Sequence, residues 1–438
     1  MKTLSSRVEA LFPQLQSWRR DFHFYAEPGW QEYRTATLVA DYLHRLGYQL
    51  ALGRAVIDAY ARMGLPDAAA RAAQETRARE QGALADWLPH FSDGFCGVVA
   101  TLDTGRPGPV LAFRVDMDAL DLCEQQSDDH RPWREGFASC NPEAMHACAH
   151  DGHTAIGLGL ATLLKAAETQ LTGTIKLIFQ PAEEGTRGAK AMVAAGVVDD
   201  VDLFVALHIG TGVPAGELVC GASHFLATEK LDVTFHGVAA HAGARPEEGR
   251  NALLAAAQAA LALHTLPQHG AGSARVNVGV LQAGSGRNVV ADRATLKLET
   301  RGASNAINQA LGTRARAVIA AAAAMYGVRH EIREMGAAEC SQPSSDWVAF
   351  IAGLAGEVEA NVSVVADSAR GAGSEDATCF MARVMQRGGR ATYLIFGCGL
   401  AAGHHHPRFD FDERVMATAV ETLTLLAHRA GDFAPEGA

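Results

Sequence analysis

Three apolar-rich runs in the first half of the chain, Val110–Val115, Thr174–Phe179 and Leu203–Leu207, are each followed within a few residues by groups that bind metals or move protons. Runs so rich in β-branched and large apolar residues belong to strands buried in a sheet. With a further run at Val98–Leu102 and helical stretches at 153–167 and 186–195, the alternation predicts an α/β sheet with covered faces. In such sheets ligands gather beyond the carboxyl ends of the strands, where these polar residues fall.

The rest of the chain organises around that sheet. Helical periodicity predicts helices over 5–22 and 34–46, the second stopped by Gly47. Residues 51–92, rich in Ala, Arg and Glu, read as an inserted helical segment. Between 228 and 335 the rhythm changes to strand (229–236), helix (250–265), strand (275–282), strand (294–300), helix (304–325) and strand (328–334). That β-α-β-β-α-β order is the ferredoxin-like arrangement and makes a unit of its own. The expected fold class is α/β: a mixed-sheet catalytic domain built from residues 1–224 and 336–438, with a ferredoxin-like domain inserted at 225–335.

Four segments concentrate the chemistry. In FRVDMDAL, Asp116 and Asp118 follow a strand; an Asp there commonly makes a turn or cap, so Asp116 is a candidate on position alone. In MHACAHDGHTA, His146, Cys148, His150, Asp151 and His153 fall within eight residues. Cys148 and His150 are two apart and share a side in extended backbone, so a thiolate and an imidazole converge as transition-metal ligands. Asp151 and His153 are candidates for orienting them, His153 alternatively for capping the next helix. FQPAEEG places Glu183 and Glu184 at a strand end, where one can ligate while its neighbour faces water; a solvated acidic turn is the other reading. His208 closes the following strand, and GHHHPRFDFDE brings His404, His405 and His406 from far along the chain. Cys148, His150, Glu184, His208 and His405 are too many for one tetrahedral ion and suit two cations sharing a bridge. Such pairs sit about 3.5–4 Å apart and activate a water, so metal-assisted hydrolysis is the expected reaction, with Glu183 as the acid that does not ligate.

Composition closes off other classes. A net charge of −11 repels phosphates, so neither nucleic acid nor an anionic membrane is an expected partner. Eight scattered cysteines without a CxxC pair do not make a disulfide scaffold. The N-terminus lacks an apolar run of signal-peptide length, and the alanine-rich stretches 252–263 and 317–325 are too short to span a bilayer. The expectation is a reduced, cytoplasmic protein.

RVDMDAL, MHACAHDGHTA, FQPAEEG, LHIG and HHPRFDFDE, in this order, resemble the M20 metallopeptidase family and, within it, the amidohydrolase branch, which cleaves amides of N-acyl and N-aroyl amino acids. The opening WRRDFHFYAEPGWQEYRTATLVADYLHRLGY, the 51–92 segment and EEGTRGAKAMVAAGVVDDVD narrow the resemblance to members that split p-aminobenzoyl-glutamate. The resemblance implies Cys148, His150, Glu184, His208 and His405 as metal ligands, Glu183 as general base and Asp116 as a supporting acid. It implies that the inserted domain is a lid and dimerisation domain. There His241 (in AAHAGARP) reaches an active site across the dimer and polarises the scissile carbonyl, Asn288 contacts substrate near the same place and Arg301 pairs with the substrate α-carboxylate. The implied cofactor is Mn²⁺, two per chain, with Zn²⁺ suited to the same donors. The implied partners are a small N-acyl amino acid and a second subunit, in a homodimer or in a heterodimer with a homologous hydrolase subunit. Two other readings stay open: hydrolysis of other N-acyl amino acids or small peptides, and a silent metal-binding regulatory subunit. The family pattern has glycine where Ala149 stands; at positive φ alanine costs on the order of 1 kcal/mol there, at negative φ almost nothing.

Overall fold

Four parallel strands, in the order Thr174–Gln180, Val110–Asp116, Leu203–Ile209 and Arg390–Phe396, form the middle of an eight-stranded sheet in the computed structural model, which describes residues 3–358, 362–366 and 373–435. The fourth comes from the C-terminal part of the chain. Beyond them the direction reverses. Val98–Asp103 runs antiparallel to Thr174–Gln180 and carries Gln49–Leu52 at one edge. Glu217–Val219 runs antiparallel to Arg390–Phe396 and pairs in parallel with Ser363–Val365 at the other. The sheet is therefore mixed, with its parallel part at the centre. Every residue of Leu203–Ile209 is buried, as a strand covered on both faces requires.

Helices Leu4–Phe24, His150–Ala166 and Val415–Arg429 pack on one another against this sheet. Gly157 sets how closely: a Cβ there would lie 2.7 Å from the Phe179 ring, so only glycine lets the helix settle on the strand. Thr3 caps the first helix by accepting the Ser6 N–H. The second, Tyr33–Arg45, ends just before Gly47, whose φ of 83° turns the chain away.

Residues 51–92 are not the helical segment that their composition suggests. The only α-helix there among the described residues is Ala68–Glu80, capped by Asp67. Left-handed glycines at 53, 64 and 82 break the helical pattern on both sides, and the intervening chain forms an edge strand, short 3₁₀ turns and loops.

Residues 225–340, with 373–375, form a separate unit; the other described residues form the larger one, which resumes at 341 because strand Arg329–Ala338 runs on past 335. The small unit reads Ala227–His236, Ala252–Leu263, Ala274–Ala283, Arg293–Gly302, Asn305–Met325 and Arg329–Ala338, a β-α-β-β-α-β order. Its four strands pair antiparallel in the order fourth, first, third, second. Two helices cover one face, where Leu231, Phe235 and Leu296 meet Ala259, Leu263, Leu311 and Ile319. No helix among the described residues is long and apolar enough to cross a membrane.

Candidate metal centre

All five proposed ligands lie in the larger unit, beyond the carboxyl ends of its central parallel strands, as the geometry of open α/β sheets favours. Cys148, Glu184 and His405 place ligand atoms within 4.8 Å of one another, and so do His150, Glu183 and Glu184. The two groups share Glu184. Cys148 Sγ also lies 3.4 Å from His208 Nε2, which extends the cluster to the fifth residue.

Hydrogen bonds set which nitrogen each histidine presents. His208 Nδ1–H donates to the Ile209 carbonyl at 2.8 Å, so its Nε2 lone pair faces Cys148. His150 Nδ1–H donates to the Asp118 carbonyl at 2.8 Å, and its Nε2 is buried without a hydrogen-bond partner among the described residues. Glu184 Oε1 is buried in the same condition, 3.4 Å from His405 Nε2. Buried polar atoms are rarely left unpaired, and here both point into one cluster of sulfur, nitrogen and carboxylate donors. The residues therefore fit a pair of divalent cations, with imidazoles oriented through their far nitrogens as metal-binding histidines usually are.

Electrostatics point the same way. Burial, then the Glu184 carboxylate, pushes the Cys148 thiol well above its ordinary range. Burial disfavours charge on His150, but Asp116 outweighs it, helped by Asp118 and Cys148, and raises this imidazole well above its usual value.

Asp116 is fully buried and supports the centre. One oxygen takes His153 Nδ1–H at 2.6 Å and the other pairs with Arg114 at 2.7 Å. His153 Nε2 accepts the Ile209 N–H at 3.0 Å, so both its nitrogens are committed to holding neighbouring segments. Asp151 orients no ligand directly; it binds Arg19 and His23 of the first helix at 2.9 and 2.8 Å. His404 turns Nε2 to the Ile209 carbonyl at 3.1 Å, and burial lowers it to about 4. His146 joins none of the metal-holding groups.

Three expected residues lie in the small unit. His241 and Asn288 are neighbours: the Ala242 N–H donates to the Asn288 carbonyl at 2.9 Å, and His241 pairs with Val289. His241 Nδ1 accepts the Gly243 and Ala244 N–H groups, leaving its proton on the exposed Nε2. Arg301 stands on strand Arg293–Gly302, whereas those two lie in loops, and forks onto Glu299 at 3.0 and 3.1 Å, in a cavity of about 470 Å³ also lined by Arg275 and Asn277.

Sequence reasoning named Asp118 beside Asp116 but gave it no role; it organises the acidic turn. Its two side-chain oxygens accept the Glu183 and Glu184 N–H groups at 2.9 Å each, while its carbonyl orients His150. The available signal was the second acid of Asp-Met-Asp beyond a strand, a position where an Asp commonly binds nearby backbone N–H groups. Asp376, which receives Gln180 Nε2 and the Gly188 and Ala189 N–H groups, carries no local signal at all.

Comparison with known proteins agrees with this geometry. The family model for peptidase family M20/M25/M40 matches residues 112–429. The chain is 63% identical over 427 residues to one of the subunits of p-aminobenzoyl-glutamate hydrolase from Escherichia coli K12, covering 98% of each. It is 62% identical, at the same coverage, to indole-3-acetyl-aspartic acid hydrolase of Enterobacter agglomerans. The crystal structure of an aminobenzoyl-glutamate utilization protein from Klebsiella pneumoniae superposes with a TM-score of 0.84 at 58% identity, over 98% of both chains. Matched over most of its length, with the donors of a metal centre gathered at the strand ends, the chain belongs to peptidase family M20/M25/M40 and is a hydrolase of amide bonds.

Proposed function

We propose that the chain hydrolyses p-aminobenzoyl-glutamate to p-aminobenzoate and glutamate. The observation that carries the mechanism is the division of the two adjacent glutamates: Glu184 faces His405 at 3.4 Å, while Glu183 Oε2 lies 3.9 Å from His150 Nε2. Cys148, His150, Glu184, His208 and His405 would hold two cations, Mn²⁺ first and Zn²⁺ second. Bound there, such cations lower the pKa of water toward about 7 and polarise an amide carbonyl. Glu183 takes the proton from the attacking water and returns it to the leaving nitrogen. His241, through Nε2–H, stabilises the tetrahedral oxyanion. Arg301 holds the α-carboxylate, where a planar fork suits two oxygens, and exchanges Glu299 for the substrate as it does so. Asn288 contacts the substrate near His241, and Asp116 keeps the histidines in place. The inserted unit acts as a lid and dimerisation domain, in a homodimer or with a homologous partner, in the cytoplasm.

A second reading has equal standing in identity: the Enterobacter agglomerans relative is named for indole-3-acetyl-aspartate. Both named substrates join an aromatic acyl group to a dicarboxylic amino acid, so N-aroyl or N-arylacetyl aspartate and glutamate are the substrate class. The test is amino-acid release by the purified chain from both compounds, with Mn²⁺, with Zn²⁺ and with chelator. Cation-dependent release of glutamate at higher kcat/KM is expected. Faster release of aspartate would move the assignment to the indole substrate. Silence from metal-loaded protein, both alone and mixed with a homologous partner, would sink both.

A further inference from the structure

Three consecutive backbone N–H groups entering the acidic turn each end on a buried carboxyl group. Asp118 accepts those of Glu183 and Glu184 at 2.9 Å each. Glu32 accepts that of Ala182 at 2.7 Å, and the same oxygen takes the Trp30 N–H at 3.1 Å. Glu32 comes from the N-terminal segment and is fully buried, and its other oxygen makes no hydrogen bond among the described residues. Nothing in the proposed chemistry uses it.

The turn needs outside support. Ala182 has φ 52° and Thr186 φ 61°, and left-handed backbone is disfavoured wherever a residue carries a Cβ. Arg187 braces the far side, with Nε donating to the Glu184 carbonyl at 2.6 Å and Nη1 to the Gly64 carbonyl at 3.3 Å. A Cβ on Gly29, next to that tryptophan and in the same loop as Glu32, would lie 3.0 Å from the Ala182 Cα and would displace the Arg187 guanidinium. The N-terminal loop is thus fitted closely against the turn.

We propose that Glu32 is a positioning residue for the metal centre: by capping the Ala182 N–H it holds the left-handed turn that aims Glu184 at the cations and Glu183 at the water. The proposal rests on the ligand role of Glu184 given above. Burial, and after it the Asp118 carboxylate, pushes Glu32 up to about 8. Both N–H contacts call for an acceptor oxygen at that reach.

Two conservative variants separate reach from charge. Glu32→Gln keeps the acceptor oxygen at full length and abolishes ionisation; Glu32→Asp keeps the acid and is one methylene short of Ala182. Mn²⁺ and Zn²⁺ titrations of chelator-stripped protein by calorimetry report on the turn without reference to any substrate, and kcat and KM are measured beside them. Glu32→Gln is expected to stay within about threefold of wild type in metal Kd and kcat. Glu32→Asp is expected to weaken metal binding, or lower kcat, by about tenfold or more at nearly unchanged KM, the size usual for residues that orient ligands. Wild-type affinity and kcat in Glu32→Asp, or equal losses in both variants, would overturn the proposal, as would losses that merely follow the unfolded fraction seen by circular dichroism. A wild-type chain that binds neither cation would remove the ligand assignment itself, and the role of Glu32 with it.

Discussion

Ala149, between the two proposed ligands Cys148 and His150, has φ 67° and ψ 12°. This is the costly one of the two conformations the sequence left open, because the methyl group opposes left-handed backbone. It is not alone. Ala182, Thr186 and His405 also have positive φ, so four of these positions belong to the proposed ligand set or lie within two residues of it. Such residues persist where surrounding contacts over-determine the backbone, which is the condition for holding donors at fixed positions. The proposed division of work between Glu183 and Glu184 depends on the same rigidity. Glu183→Gln is expected to lower kcat by about 10²–10⁴, the usual contribution of a general base, with metal content by atomic emission unchanged. Metal loss in that variant would show that the roles of Glu183 and Glu184 are exchanged. The candidate ligands were readable from residue type and spacing. Asp118 showed only as an acid beyond a strand and Glu32 not at all, because what they bind is backbone N–H from segments distant in the chain.

At the scale of elements, a buried charge network joins the first helix to the helix that begins at His150 and to the C-terminal segment. Arg19 contacts Asp151, Asp410 and Glu413 at 2.9, 3.0 and 3.2 Å. His23 bridges Asp151 and Glu124 at 2.8 and 3.0 Å. Burial opposes a charge on His23, but Glu124 and Asp151 outweigh it and raise the imidazole to about 9. A raised pKa stabilises the fold below the unfolded value of 6.5, and that contribution is lost as pH rises through 9. The difference corresponds to roughly 3 kcal/mol. Urea unfolding is expected to show stability falling between these two pH values, with the fall largely absent in His23→Gln. An unchanged slope in the variant would rule His23 out as its source. Helix periodicity located the first helix well, yet composition misread residues 51–92. Alanine and arginine favour helix only while no turn residue intervenes, and Gly64, Pro66 and Gly82 intervene.

For the whole molecule, each unit has its own buried core, and the proposed ligands all belong to one of them. Scanning calorimetry is expected to resolve two transitions, of which Mn²⁺ raises only that of the larger unit. A hundredfold excess over Kd adds about 2.7 kcal/mol to it. A shift of both transitions together would mean that the units unfold as one or that the small unit also holds metal.

Local chemistry was legible from one dimension. Apolar runs, a β-α-β-β-α-β rhythm between 228 and 335, and a cysteine two residues from a histidine each depend on neighbours in the chain, and periodicity and side-chain type report on neighbours. The strand from the C-terminal segment that completes the parallel centre, the carboxyl groups that hold the Glu183–Glu184 turn, and the sign of φ at Ala149 depend on segments far apart in the chain being packed together. Such contacts exist only after the chain has closed on itself, because burial in a dense, low-dielectric interior is what obliges each N–H and each carboxylate to find a partner.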